Sequence, residues 1–231
     1  MSHLGYLRGR PAPRADSPGV LGRLRTALHP VTLADLALRG ARPAAPLRLV
    51  IAGDVSGSMT QYAAARVAAL DELVAWAPAN LRPTDELGVL DFADTAEWAL
   101  RPATVHHLAT FGARRRERHL GGGTAWRPVL DRVAALGDHP GRTSLWLISD
   151  GEYPDYPAGT DAARRLLTDA GVHLMPLLIP SPAAVVPDAW LDVFPDHPAL
   201  SFEGLDGHAT AVAFAHTLAA VTGQRLVRVA S

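Results

Sequence analysis

A chain of 231 residues with a formal net charge of -1 is long enough for one large α/β domain, and its balanced charge argues against bulk attraction to nucleic acid or anionic membrane. It has no cysteine, which excludes disulfides, thiolate catalysis and cysteine-based zinc sites. There is no lysine, and the reliance on arginine with abundant Ala, Gly and Pro reads as the signature of a GC-rich bacterial genome.

The first residues form no apolar leader core, and no window approaches the roughly 18 apolar residues of a membrane span. A cytoplasmic location is therefore expected. Residues 1–46 stand apart from the rest. Gly9-Arg10-Pro11-Ala12-Pro13-Arg14 and Arg42-Pro43-Ala44-Ala45-Pro46 are punctuation rather than periodic sequence. Between them, Val20–Leu24 and Leu33–Leu38 each fit a strand or a short helix. The expectation is an N-terminal extension that packs on, or frays from, a domain spanning 47–231.

From residue 47 the pattern alternates strand and helix, which predicts an α/β fold with a mostly parallel sheet covered on both faces. Leu47–Gly53 is an apolar run that reads as a buried strand. Helical spacing of Ala63, Val67, Leu70, Leu73, Val74 and Trp76 predicts a helix from Met59 to Trp76, stopped by Pro78. Asp85–Phe92 is the second strand, and Thr95–Leu100 is hairpinned to it as an antiparallel edge. Residues 101–123 read as loop with one helical turn. A helix over Ala125–Leu136 leads to a buried strand, Ser144–Ser149. A helix over Asp161–Ala170 is capped by Gly171 and followed by a strand over Val172–Ile179. The four prolines in 181–198 predict loop. Ala199–Phe202 and Ala209–Val221 are the last strand and the last helix.

Chemistry concentrates where the first strand ends. Asp54, Ser56 and Ser58 follow it at i, i+2 and i+4, a spacing that puts three oxygen side chains on one side of extended backbone. The carboxyl ends of parallel strands are where ligands bind in open α/β sheets. Hard oxygen donors suit Mg²⁺, Mn²⁺ or Ca²⁺. Asp150 directly follows the strand 144–149. Thr124 closes a glycine run, Gly121-Gly122-Gly123, ahead of a helix. If the strands ending at Gly53 and Ser149 are neighbours, Asp54 and Asp150 flank one crevice and the glycine loop can deliver Thr124 between them.

The sequence Asp54-x-Ser56-x-Ser58, then Gly-Gly-Thr124, then Ser-Asp150-Gly, resembles the metal-ion-dependent adhesion site (MIDAS) of von Willebrand factor type A (vWA) domains. The resemblance covers about residues 47–222, fills all five ligand positions, and is closest in style to small intracellular bacterial members. It implies a Rossmann-like vWA fold with a divalent cation on top. Ser56, Ser58 and Thr124 would coordinate directly, Asp54 and Asp150 mainly through water, and a partner protein would supply an Asp or Glu as the sixth ligand. Stand-alone bacterial relatives work beside AAA+ ATPases of the MoxR type or in stress-response and conflict-system operons. Two carboxylates balance a dication and three hydroxyls add no charge, so an incoming carboxylate is not repelled. Mg²⁺, or Mn²⁺, suits a site of few protein ligands completed by water.

Trp126, Glu152, Arg115 and Arg116 are candidates for a partner-binding rim, the arginines within the run Arg114-Arg115-Arg116-Glu117-Arg118. An alternative is a metal-assisted hydrolase or phosphatase. A phosphatase that begins with a strand-end Asp looks for a second acid two residues on, where this chain has Ser56. A serine hydrolase would want Gly-x-Ser-x-Gly, but Ser56 falls one place late after Gly53. A phosphate-binding loop needs lysine, which is absent. A non-enzymatic interaction module is therefore expected.

Overall fold

The computed structural model describes residues 31–108 and 122–229. A seven-stranded sheet has the order β4-β3-β2-β5-β7-β8, with β6 also paired to β5. Its centre is β2 (Leu47–Asp54), buried at all eight residues and flanked in parallel by β3 (Glu86–Phe92) and β5 (Arg142–Ile148). β4 (Ala96–Thr104) is the antiparallel edge. On the other side β6 (Val172–Leu174) and β7 (Leu177–Ile179) run parallel to β5, and β8 (Ala199–Ser201) closes the sheet.

The period-2 alternation of β2 divides the core. Leu49 and Ile51 pack with α1 (Ala63–Asn80) and α6 (Gly207–Thr222). Val50 and Ala52 point to the opposite face, with residues of α3 (Arg127–Ala134), α4 (Thr160–Asp169) and α5 (Asp188–Val193). A short helix, α2 (Val105–Leu108), follows β4. The fold is thus the mixed α/β architecture expected from the alternation of elements.

Several boundaries differ, each for a local reason. The residues after Asp54 form a 3-10 turn, Gly57–Tyr62, before α1 begins. Pro78 lies inside α1, which runs on to Asn80; one bond lost in the last turn costs less than in mid-helix. β4 extends to Thr104, with two register shifts opposite β3. Pro102 falls on this edge strand, where a missing N–H is tolerated, and it faces Gly88, where an added Cβ would lie 2.7 Å from the proline ring. The strand expected over 172–179 is broken at Met175-Pro176: Pro176 has no N–H to give, and Met175 N donates to His197 Nδ1 (2.9 Å) instead. The proline-rich stretch 181–198 contains α5, held by Trp190, which is wholly buried.

Residues ahead of β2 are joined to the far end of the chain. Leu33–Asp35 form a 3-10 turn, and β1 (Leu36–Arg39) pairs antiparallel with β9 (Arg225–Arg228) as a separate two-stranded ribbon. Helix α1 holds the ribbon by side chains. Trp76 Nε1 donates to Leu36 O (2.7 Å), and Leu38 N donates to Asn80 Oδ1 (2.9 Å).

At the sheet edge opposite the strand-end oxygens, buried Asp85 accepts from Leu47 N (2.9 Å), Arg82 N (2.7 Å) and Arg42 Nη1 (2.7 Å). Three histidines serve the same edge through Nδ1, accepting from Gly141 N at His139 (3.2 Å), Thr143 N at His173 (3.2 Å) and Met175 N at His197 (2.9 Å). A backbone N–H can only donate, so these rings are held as neutral Nε2–H tautomers. Burial lowers the pKa of His139 and of His197 from the ordinary 6.5.

Two outcomes are expected. Asp85→Ala strands two backbone donors and a buried arginine, and should cost about 3–5 kcal/mol in urea unfolding. Because the folded protein binds fewer protons at His139 and His197 than the unfolded chain does, their stabilisation is complete above pH 6.5 and is lost as pH falls below it. A melting temperature unchanged between pH 7.5 and 5 would contradict this.

Candidate metal centre

The parallel register brings the ends of β2 and β5 together. Gly53 pairs with Ile148, so Asp54 and Ser149 emerge side by side, with Asp150 next. Asp54 is wholly buried. Its Oδ1 accepts from Ser56 N (2.8 Å) and its Oδ2 from Ser149 Oγ (2.7 Å). Ser58 Oγ donates to Asp150 Oδ2 (2.8 Å), and Ser56 Oγ lies 3.3 Å from Ser58 Oγ. Asp150 Oδ1 accepts from Glu152 N (3.2 Å). The loop after β2 is fixed from the other side by Val55 N donating to Phe92 O (2.8 Å) at the end of β3.

Thr124 reaches the same end of the sheet through its neighbours. Ala125 N donates to Ala93 O (2.9 Å), one residue beyond Phe92, and Gly123 N donates to Asp94 Oδ2 (3.2 Å). A Cβ at Gly123 would displace the Asp94 carboxylate, so glycine lets this loop keep its bond to Asp94. Four of the five expected ligand residues, Asp54, Ser56, Ser58 and Asp150, are thus linked by hydrogen bonds, and Thr124 stands on a loop pinned beside them.

Burial raises the Asp54 carboxyl above its usual 3.8, against the hydrogen bonds from Ser56 and Ser149, and the charge of Asp150 adds to the rise. The residues fit a hard dication. The donors are all oxygen, the two carboxylates match its charge, and their distances of 2.7–3.4 Å are those of side chains converging on one small volume. Among the described residues no group of three or more His, Asp or Glu is placed to hold a metal. The cradle has only two carboxylates; its remaining donors are hydroxyls.

The expected rim needs correction. Trp126 is 1% exposed and packs edge-on against Phe194 at 5.4 Å, so it belongs to the core. Its backbone N and that of Arg127 donate to the Asp155 carboxylate (3.1 and 2.8 Å), which caps α3. A tryptophan one turn from a ligand loop was buried because α3 needs an apolar anchor at its start. Glu152 is exposed beside Asp150. Arg115 and Arg116 lie outside the described residues. Ser149, which the sequence shows only as the last residue of a strand, bridges the two aspartates. Its signal was position: a hydroxyl directly before Asp150 at a parallel strand end. Tyr153, 5% exposed, packs behind Ser149, and burial holds its hydroxyl well above its ordinary range.

No protein-family model matches the chain, and no curated protein matches it. Solved structures do. A BatB protein from Bacteroides thetaiotaomicron is 16% identical with a TM-score of 0.55, over 77% of this chain and 99% of that one. The PilB minor pilin of Streptococcus sanguinis is 10% identical with a TM-score of 0.56, over 80% of this chain and 63% of the pilin. Proximal thread matrix protein 1 of the mussel byssus, in a form with a zinc-occupied MIDAS motif, is 12% identical with a TM-score of 0.54, over 80% of this chain and 48% of that protein. The chain therefore has the Rossmann-like vWA fold, with one antiparallel edge strand and helices on both faces. No helix among the described residues is long and apolar enough to cross a membrane.

Asp54→Asn separates the metal reading from a purely structural one. Its amide can still accept from Ser56 N and can donate to Ser149 Oγ. A carboxyl whose folded pKa lies above 3.8 makes the fold less stable as pH rises through that interval. The variant should therefore melt higher than wild type without metal at pH 7.5, and lose the stabilisation that Mg²⁺ or Mn²⁺ gives wild type. Equal metal-induced shifts in both proteins would contradict the assignment.

Proposed function

We propose that the chain is a non-enzymatic protein-interaction module that binds a partner's Asp or Glu through a divalent cation held by Asp54, Ser56, Ser58, Thr124 and Asp150. The observation that carries this is the hydrogen-bonded chain Asp54–Ser149–Asp150–Ser58–Ser56 across the ends of β2 and β5. Mg²⁺ is the proposed metal, with Mn²⁺ as its substitute. The zinc in the byssus protein's motif supports a dication in such a cradle. When bound, the cation supplies an electrophilic position for an incoming carboxylate. Ser56, Ser58 and Thr124 contribute neutral oxygens, and the two aspartates set the charge.

Asp54 favours binding over catalysis. Both its oxygens are engaged, by Ser56 N and Ser149 Oγ, so it is poorly disposed to act as a nucleophile. The proposed setting is cytoplasmic, as an accessory to a MoxR-type AAA+ ATPase or to a stress-response or conflict-system protein. Exposed Glu152, beside Asp150, is the described residue best placed to meet such a partner.

Immobilised full-length chain should capture its partner in Mg²⁺ and release it in EDTA, and Asp54→Ala should lose the capture while keeping its far-UV circular dichroism. Binding undiminished by chelator would sink the proposal. Metal-dependent turnover in a phosphatase or esterase screen, absent from Asp54→Ala, would replace it with the enzyme reading.

A further inference from the structure

The loop after β5 is held at several points. Gly151 takes a left-handed φ of +83°, which lets the chain turn directly after Asp150. Gly151 N donates to Ser149 Oγ (3.2 Å), Glu152 N to Asp150 Oδ1 (3.2 Å), and Tyr156 Oη to Gly151 O (2.6 Å). Tyr153 follows the turn into the core, where it is 5% exposed. Its ring packs against Phe92, with centroids 6.4 Å apart, and edge-on against Tyr156 at 5.5 Å. Phe92 is the residue opposite Asp54 in the register of β2 and β3.

The oxygen at the tip of that ring is costly where it stands. Tyr153 Oη is buried and has no hydrogen-bond partner among the described residues. A buried hydroxyl in that condition is destabilising, and phenylalanine would fill the same space without the cost. Burial raises the pKa of the hydroxyl most, Ser149 lowers it, and Asp54, Tyr156 and Asp150 raise it further, so the oxygen lies close to the bridge between the two aspartates. Ser149 has the complementary deficit. A serine hydroxyl carries one proton and two acceptor positions. Ser149 Oγ gives its proton to Asp54 Oδ2 (2.7 Å) and accepts from Gly151 N (3.2 Å), which leaves one acceptor position open among the described residues. Asp150 Oδ1, 3.4 Å away, competes for the same proton.

We propose that Tyr153 is a positioning residue of the metal centre, whose hydroxyl donates to the open acceptor position of Ser149 Oγ in the metal-loaded protein and commits the Ser149 proton to Asp54. This deepens the function proposed above and rests on the cradle holding a dication. As the side chains stand, one Ser149 proton lies between two carboxylates. With a dication balancing their charge, Asp150 has no further need of that proton, and the hydroxyls align as Tyr153 to Ser149 to Asp54. Each bond in such a file polarises the next, so a donor at the rear strengthens the bond at Asp54. The orientation of Asp54 is then set from behind, by a residue that never touches the cation. A bond missing without the cation and formed with it favours metal binding.

Tyr153→Phe in the full-length chain keeps the ring and removes the oxygen. In EDTA the variant should melt no lower than wild type, because it loses only a buried hydroxyl that lacks a partner. In calorimetric titration it should bind Mn²⁺ roughly tenfold more weakly, the scale on which residues behind metal ligands act. A residue that only packs would lower both readings together or change neither. Introduced into Ser149→Ala, Tyr153→Phe should cost no further affinity, because the hydroxyl acts through Ser149 Oγ. Equal Mn²⁺ affinity in wild type and Tyr153→Phe overturns this inference and leaves the cradle standing. So does a loss of affinity matched by a lower melting temperature in EDTA, or a loss that persists undiminished in Ser149→Ala. Failure of wild type to bind Mn²⁺ overturns both the inference and the cradle.

Discussion

The structure turns on a carboxylate placed where water cannot reach it. β2 is buried along its whole length and ends in Asp54, which is itself wholly buried. A charge in that position must be compensated by whatever the neighbouring elements can bring. Ser56 brings a backbone N–H and Ser149 a hydroxyl, and each fixes a loop in doing so. The loop after β2 turns back over the strand end, and β5 is held so that Asp150 follows Ser149 into the same space. Compensation remains incomplete, since the carboxyl is still raised above its ordinary range and a second acid stands beside it. A fold with that arrangement is poised for a cation.

Much of this was legible in the sequence because buried parallel strands and amphipathic helices declare themselves by pattern. Leu47–Gly53 and Ser144–Ser149 read as strands from composition alone, and the oxygens after them could be assigned to one end of the sheet. What escaped was decided by partners distant in sequence. The ribbon of β1 and β9 joins Leu36 to Arg228; Leu33–Leu38 reads equally as strand or helix, and only its partner about 190 residues away decides which. The break after Leu174 depends on His197, and the helix within 181–198 on a pocket for Trp190, neither of which local propensity reports. Trp126 misled for the converse reason. Closeness to a ligand in sequence does not say which way a side chain turns, and this one turns inward against Phe194.

Identities of 10–16% to structures with TM-scores near 0.55 place the architecture and nothing finer. A pilin, a byssal matrix protein and a BatB protein share it, which is what a scaffold with variable strand-end loops allows. What distinguishes one such protein from another lies in the loops. In this chain those after β2 and β5, with Gly123 pinned by Asp94, bring hydroxyls and carboxylates together at one end of the sheet.

The ribbon has a mechanical consequence. β9 follows α6 after one left-handed glycine, Gly223, with Gln224 N donating back to Ala219 O (2.9 Å), so helix and strand are stiffly joined. β9 is in turn registered against β1 over four residues. The start of α6 lies on α1 at Ala65 and Ala68, one helical turn from the strand-end loop that carries Ser56 and Ser58. Any sliding of α6 along α1 would therefore be transmitted as a pull on β1. The two ends of the described chain form one lever, with its fulcrum on α1 and its short arm beside the metal face.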